Sequence, residues 1–189
     1  MKVLVIPEDP HLDQYILKPV IERVFDDLSK KARIEVLQNP RMRGVEDALD
    51  HETIDAIVTK NRMVDVFLLV VDRDCAKDRR ARLDALEQRH PGKLLAAMGV
   101  EEVETWLLAL HRRDVEERHK LSWAQVRSEC HPKETFAEPL LARLGDGGPG
   151  NGRKSAMGAI AKQWKSLCEL CPEIPELRER IRARPETAS

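Results

Sequence analysis

The clearest pattern in the chain is a set of short apolar runs, each followed by a stretch whose apolar residues recur at helical spacing. The run VFLLVV at 66–71 contains no polar position, which is typical of a strand buried on both faces of a parallel sheet. Further strands are predicted at 2–6, 33–37 and 93–98, with helices between them at 12–31, 44–57 and 77–89. This alternating order predicts an α/β fold with a parallel, doubly wound sheet and right-handed crossovers.

The strand signals end well before the chain does. The segment 101–110 has helical character, no strand is predicted beyond residue 122, and a glycine-rich loop at 145–152 separates two helical stretches. We therefore predict an α/β domain over residues 1–110 and a helical C-terminal extension, residues 111–189, packed on it.

The composition is that of a well-solvated globular protein. Of the 189 residues, 34% are charged and 42% are hydrophobic, and the formal net charge is −1. A near-neutral chain has no global field that attracts nucleic acid, so a polyanion site must come from local clustering. No apolar run approaches the roughly 20 residues of a membrane span, and the start of the chain does not resemble a signal peptide. We expect no membrane contact and a cytoplasmic location.

The chain has four cysteines, Cys75, Cys130, Cys168 and Cys171. In a reducing compartment they are expected to be free thiols. A zinc site built from Cys168, Cys171, Cys130 and His131 is the alternative. The sequence favours it less, because the Cys168-x-x-Cys171 pair follows an amphipathic helical stretch in which cysteine packs as a small hydrophobic residue.

Acidic residues follow the predicted strands. Glu8 comes after the first strand, Asp72 and Asp74 come at the end of the strand that begins at residue 66, and Glu104 follows the last strand. Ligand sites of open α/β sheets lie outside the carboxyl ends of the strands, so these carboxylates are expected to converge. Such a cluster repels itself unless a hard divalent cation neutralises it, and oxygen ligands suit Mg²⁺. The alternative is that the aspartates cap the following helix and the glutamate is a solvated first-turn residue.

The order and spacing of these acids resemble the Toprim fold, the metal-binding domain shared by topoisomerases, primases and nucleases of the OLD group. The resemblance is carried by Glu8, by the Asp72-x-Asp74 pair and by a Glu-Val-Glu-x-Trp segment at 102–106, and it covers about residues 1–110. Within this fold the chain more closely resembles small, stand-alone bacterial Toprim-like proteins, which share this segment.

The resemblance implies a role for each acid. Glu8 would be the general base or acid, Asp72 and Asp74 the metal-binding pair, and Glu104 a further ligand of Mg²⁺ or Mn²⁺. The family usually has glycine after the first glutamate, where this chain has Asp9. Glycine permits unusual backbone dihedrals, so Asp9 puts the geometry of this turn in question.

Basic residues near the acids are candidates to contact phosphates. Lys133 lies in a Pro-Lys pair like that of the small Toprim-like proteins and could stabilise charge in a transition state. Arg79 and Arg80 follow the metal-binding pair closely, and Arg153 and Lys154 begin a helix after the glycine-rich loop; all four are predicted to hold a nucleic-acid backbone. The alternative for each is a solvated surface charge. The loop does not match a Walker A motif, because Arg153 interrupts the required Gly-Lys-Ser order.

The favoured hypothesis is a Mg²⁺-dependent nuclease that hydrolyses phosphodiester bonds of DNA or RNA. Some relatives of the small Toprim-like proteins work with ATPase partners against phage, which implies an ATPase partner and a role in phage defence or DNA repair. Because only 4% of residues are aromatic, we expect weak nucleic-acid binding by one chain, completed by a partner or a homo-oligomer. A catalytically inactive regulatory or interaction subunit is the second hypothesis, favoured by Asp9. A phosphoacceptor domain with Asp72 as nucleophile is the third, but it needs a lysine on a late strand that the sequence does not provide.

Overall fold

A four-stranded, all-parallel sheet forms the centre of the molecule in a computed structural model, which describes residues 1–145 and 147–184. The strand order is β2-β1-β3-β4. The strands are β1 (Lys2–Pro7), β2 (Arg33–Val36), β3 (Val66–Asp72) and β4 (Leu94–Gly99). The predicted α/β class with a parallel sheet and a helical C-terminal part is confirmed, and the architecture is consistent with a Rossmann-like or Toprim-like fold.

Helices connect the strands and make up the C-terminal part. They are α1 (Gln14–Asp27), α2 (Val45–Leu49), α3 (His51–Lys60), α4 (Arg79–Arg89), α5 (Glu104–Leu110), α6 (Arg112–His119), α7 (Trp123–Arg127), α8 (Glu138–Leu144), α9 (Arg153–Ala156), α10 (Ile160–Leu170) and α11 (Glu173–Arg182). A π-helical turn, Lys133–Ala137, leads into α8, and a 3₁₀ turn, Met157–Ala159, links α9 to α10. α1 contains Pro19 in its interior.

The single helix predicted at 44–57 is two helices in the structure. Asp50 lies between them with an extended backbone, and its side chain accepts a hydrogen bond of 2.9 Å from the backbone N–H of Thr53. An aspartate in this position satisfies one of the free N–H groups at the start of α3 and so favours a new helix start over continuation of α2.

Two hydrophobic cores lie on the two faces of the sheet. Alternate residues of each strand contribute to opposite cores, as the pleat of a strand requires: Val3 and Val5 join one core, while Leu4 and Ile6 join the other. The second core contains residues of α2, α3 and α4. The first contains residues of α1 and of most C-terminal helices, including Trp164, so it continues across residue 110 without interruption.

Helix length and polarity also bear on membrane contact. Among the residues that the structure describes, no helix is both long enough and apolar enough to cross a bilayer.

Candidate functional site

The sheet has a topological switch point between β1 and β3. The chain adds β2 on one side of β1 and then crosses over to add β3 on the other side. Ligand sites of open α/β sheets form at this crevice. Glu8 follows β1 and Asp72 ends β3, and the backbone N–H of Asp72 donates a 3.0 Å hydrogen bond to the Glu8 carboxylate. Burial raises the pKa of Glu8 to about 7, although this hydrogen bond acts in the opposite direction. The two acids that the sequence placed at these strand ends are therefore neighbours.

The Asp72 carboxylate lies against the start of the segment that follows β4. Its Oδ1 accepts a 2.8 Å hydrogen bond from the backbone N–H of Val103. Burial, together with the negative charges of Asp13, Glu8 and Glu104, raises the pKa of Asp72 well above its usual value. Gly99 makes this approach possible, because a Cβ at residue 99 would lie 2.8 Å from the Val103 nitrogen and 3.1 Å from Asp72 Oδ1.

Asp13 is a buried member of the acidic cluster that the sequence analysis did not single out. Its side chain is only 7% exposed and accepts a 3.0 Å hydrogen bond from the backbone N–H of Asp9. Burial and the nearby charge of Glu104 raise the pKa of Asp13 to about 8. An aspartate just before a helix is usually a cap, which is why its position in the sequence gave no separate signal.

Asp9 replaces the expected glycine without backbone strain. It is not among the described residues that have a positive φ, so the turn does not need a glycine at this position. The Asp9 side chain instead accepts a 2.8 Å hydrogen bond from the backbone N–H of His11, and its own N–H is bound by Asp13. The turn after β1 is therefore held by aspartate side chains.

Asp74 and Arg79 form an ion pair beside these acids. The Arg79 guanidinium lies 2.7 Å from Asp74 and 3.7 Å from Glu8, and it also donates to the backbone carbonyl of Asp72. With its side chain only 11% exposed, Arg79 joins the acids to one another. Arg80, its neighbour in the sequence, pairs with Asp84 on the surface of α4.

Glu104 and Arg153 form an ion pair in the interior. Their side chains are 2% and 1% exposed, and the guanidinium donates to Glu104 Oε1 at distances of 2.6 and 3.2 Å. Arg153 also donates to the carbonyl of Gly150, at 3.3 Å, in the glycine-rich loop. The guanidinium of Arg153 is therefore not on the surface and offers no free charge to a phosphate, whereas Lys154 is exposed.

Glu102, His131 and Glu134 make the most compact set of metal-ligand atoms. In residues 1–145 and 147–184, this is the one group of three potential ligands whose donor atoms all lie within 4.8 Å of one another, and it could hold a metal ion. The backbone N–H of Lys133 donates a 2.6 Å hydrogen bond to Glu102. Burial and the charge of Glu104 raise the pKa of Glu102 to about 7 despite this hydrogen bond.

Lys133 interacts electrostatically with Glu134 of this triad and with Glu8 and Asp13. Burial alone would lower the pKa of its ammonium group, but the charges of Glu104, Glu134 and Asp13 raise it on balance. Its positive charge also acts on the carboxyl of Glu8. A lysine that remains charged among acids can bind an anionic group that approaches them.

A disulfide links the two segments that carry these residues. Cys75, directly after Asp74, is bonded to Cys130, directly before His131, with a Cα–Cα distance of 5.5 Å. The prediction that all four cysteines are free thiols is therefore wrong for this pair, because the fold brings two segments together that are 55 residues apart. Cys168 and Cys171 are free. Because Cys130 is bonded to Cys75, it cannot be a ligand of the zinc site considered above.

The loop that contains Cys75 is held on the other side by Glu101. This buried carboxylate accepts a hydrogen bond of 2.9 Å from Nε of Arg73 and one of 2.6 Å from the backbone N–H of Cys75. Asp74, Cys75 and Glu101 all have positive φ angles, an uncommon conformation for residues other than glycine. Such residues cluster at functional sites, where surrounding contacts hold them.

The predicted metal ligands are thus at one edge of the sheet, but each already has a partner within the protein. Asp72 binds a backbone N–H, Asp74 binds Arg79, and Glu104 binds Arg153. Comparison of the chain with protein-family models, curated proteins and solved structures finds no match in any of the three. The resemblance to the Toprim family therefore remains a prediction.

Proposed function

We propose that this chain is a divalent-metal-dependent nuclease that hydrolyses phosphodiester bonds of nucleic acid. One observation carries the proposal: the triad Glu102, His131 and Glu134 could hold a metal ion. The negative charge of Asp74 acts on the carboxyl of Glu102, which connects the triad to the strand ends. Buried carboxyls in such numbers need either protons or a cation to balance them.

The chemistry of the donors supports a first-row divalent ion. Glu102 and Glu134 offer oxygens and His131 offers an imidazole nitrogen. Carboxylates suit Mg²⁺ and Mn²⁺, whereas an imidazole ligand suits transition-metal ions rather than Mg²⁺. A divalent ion held by these residues would neutralise a phosphate and lower the pKa of an attacking water.

Two side chains of the site fit the remaining tasks of phosphodiester hydrolysis. Glu8, with a pKa of about 7, can accept or release a proton near neutral pH, as a general base or acid must. Lys133 can stabilise the negative charge that develops on the phosphoryl oxygens. A partner ATPase, with a role in phage defence or DNA repair, remains part of this proposal.

Calorimetric titration with Mn²⁺ is the first test. We expect the wild type to bind, and His131→Ala and the double variant Asp72→Ala/Asp74→Ala to bind at least tenfold more weakly, in line with the loss of a ligand or its support. His51→Ala is the matched control, because His51 is an exposed histidine at the start of α3. Single- and double-stranded DNA and RNA are then incubated with the same proteins, with Mn²⁺ or with a chelator. No binding by the wild type at millimolar Mn²⁺ would overturn the proposal.

An inactive regulatory or interaction subunit is the second candidate. The observation that favours it is that two predicted ligands, Asp74 and Glu104, are already paired with arginines. An arginine that takes the place of a metal ion neutralises the carboxylates and stabilises the fold, but it does not support metal-dependent catalysis. Mn²⁺ binding without cleavage of any nucleic-acid class, or no binding at all, would favour this candidate.

A further inference from the structure

A groove opens directly beside Glu8. It has a volume of 660 Å³, within the usual range of sites for small ligands. Glu8 and Asp9 form one wall, and the loop between β2 and α2 forms the other with Arg41 and Arg43. The groove therefore leads from the candidate site to two cationic side chains that the sequence analysis did not consider.

Arg41 and Arg43 differ from most other arginines of the chain. Both are exposed, and in the described part of the chain neither has a carboxylate within ion-pair distance. Arginines near the site are paired instead, as Arg73, Arg79 and Arg153 show. A guanidinium with free donors is suited to bidentate contact with a phosphate.

The loop that carries the two arginines is fixed to the body of the protein. Met42, between them, is 3% exposed and belongs to the core under α2 and α3. The backbone N–H of Arg43 donates a 3.0 Å hydrogen bond to the side chain of Asp47. Because the loop is anchored on both counts, the two guanidinium groups would lose less entropy on binding a ligand than groups on a free loop would.

We propose that Arg41 and Arg43 bind the sugar-phosphate backbone of single-stranded nucleic acid and direct it to Glu8. The proposal rests on the nuclease function proposed above. The described lining of the groove contains no aromatic side chain, so bases have no stacking platform and the phosphates must supply the contacts. The groove therefore binds its strand without strong sequence preference.

Fluorescence anisotropy with a short labelled oligothymidylate tests the groove without requiring cleavage. Binding is measured in a chelator and again with Ca²⁺ to neutralise the acids, over a series of salt concentrations. Arg41→Ala/Arg43→Ala should bind at least tenfold more weakly than the wild type. The slope of log K against log salt should fall in magnitude by about 1.4, because each phosphate contact on a single strand contributes about 0.7. An oligomer with a neutral methylphosphonate backbone should not distinguish the two proteins.

The control is Arg62→Ala/Arg118→Ala, which removes two exposed arginines that also have no ion pair among the described residues. Equal affinity and slope for the two double variants, or no binding by the wild type in either condition, would overturn the groove proposal. If groove binding is lost as expected but no protein cleaves nucleic acid, the nuclease proposal fails while the groove stands. If both double variants cleave with the same KM, the groove proposal fails while the nuclease stands.

Discussion

Removal of the disulfide between Cys75 and Cys130 should strongly destabilise the fold. The bridge closes a loop of 55 residues, and in the chain-entropy model a loop of that length restricts the unfolded chain enough to contribute about 4 kcal/mol. Cys75→Ser/Cys130→Ser should therefore lower the free energy of unfolding by about 4 kcal/mol. Treatment of the wild type with a thiol reductant should have the same effect.

Urea unfolding followed by tryptophan fluorescence measures this loss, with and without reductant. Cys168→Ser is the matched control, because Cys168 is a free, partly buried thiol, and it should leave the midpoint responsive to reductant. Thiol titration of the denatured, unreduced wild type should count two thiols, since two of the four cysteines are bonded. Four thiols, or a midpoint that reductant does not move, would refute the reasoning.

The bridge should also affect the candidate metal site, because Cys75 follows Asp74 and Cys130 precedes His131. Without it, the two segments would have to be ordered when the metal binds, and that ordering costs affinity. We expect weaker Mn²⁺ binding in calorimetry after reduction. An unchanged Kd in a reduced but folded sample would show that packing alone positions His131.

Three further predictions concern the site. Gly99→Ala should lower the free energy of unfolding by about 1–3 kcal/mol in urea unfolding, because its Cβ would lie 2.8 Å from the Val103 nitrogen; an unchanged midpoint would contradict this. Arg153→Met should lower the free energy of unfolding by about 3–5 kcal/mol, because it leaves Glu104 buried without its partner. Adding Glu104→Gln should recover most of this loss of stability; a double variant no more stable than Arg153→Met would contradict the prediction. The pKa of Glu8 is raised from 4.5 to about 7, so the folded state holds a proton that the unfolded state releases. Glu8 should therefore contribute a loss of stability to the metal-free protein as pH rises from about 4.5 to about 7, measured as the difference in slope between the wild type and Glu8→Gln; equal slopes would refute the assignment.

Local patterns in the sequence predicted the sheet well. The run at 66–71 has no polar position and is β3, because a strand covered on both faces has only apolar neighbours. The division of the helix predicted at 44–57 was missed, because Asp50 fits a helix by periodicity, and only its bond to Thr53 favours a new start. Strand existence depends on local pattern, whereas helix boundaries depend on competition between hydrogen bonds.

The site could be predicted only in part, since its details depend on contacts between distant segments. The strand ends place Glu8 and Asp72 together, as the topology of a parallel sheet requires. The burial of Arg153 depends on Glu104, and the bond of Cys130 depends on Cys75. No spacing rule in the sequence relates these pairs, so Arg153 was predicted to hold a nucleic-acid backbone and Cys130 was predicted to be a free thiol.

The division of the core has a consequence for synthesis on the ribosome. All four strands are encoded before residue 100. One face of the sheet, however, is covered in part by residues that are synthesised later: Trp106, Phe136, Trp164 and Ile181. Nascent chains therefore expose a wide apolar surface until late in translation, the situation in which chaperones engage a chain. His131 and Lys133 are also synthesised after all four strands. A growing chain thus cannot assemble the complete candidate site before the segment that carries His131 and Lys133 has docked on the sheet.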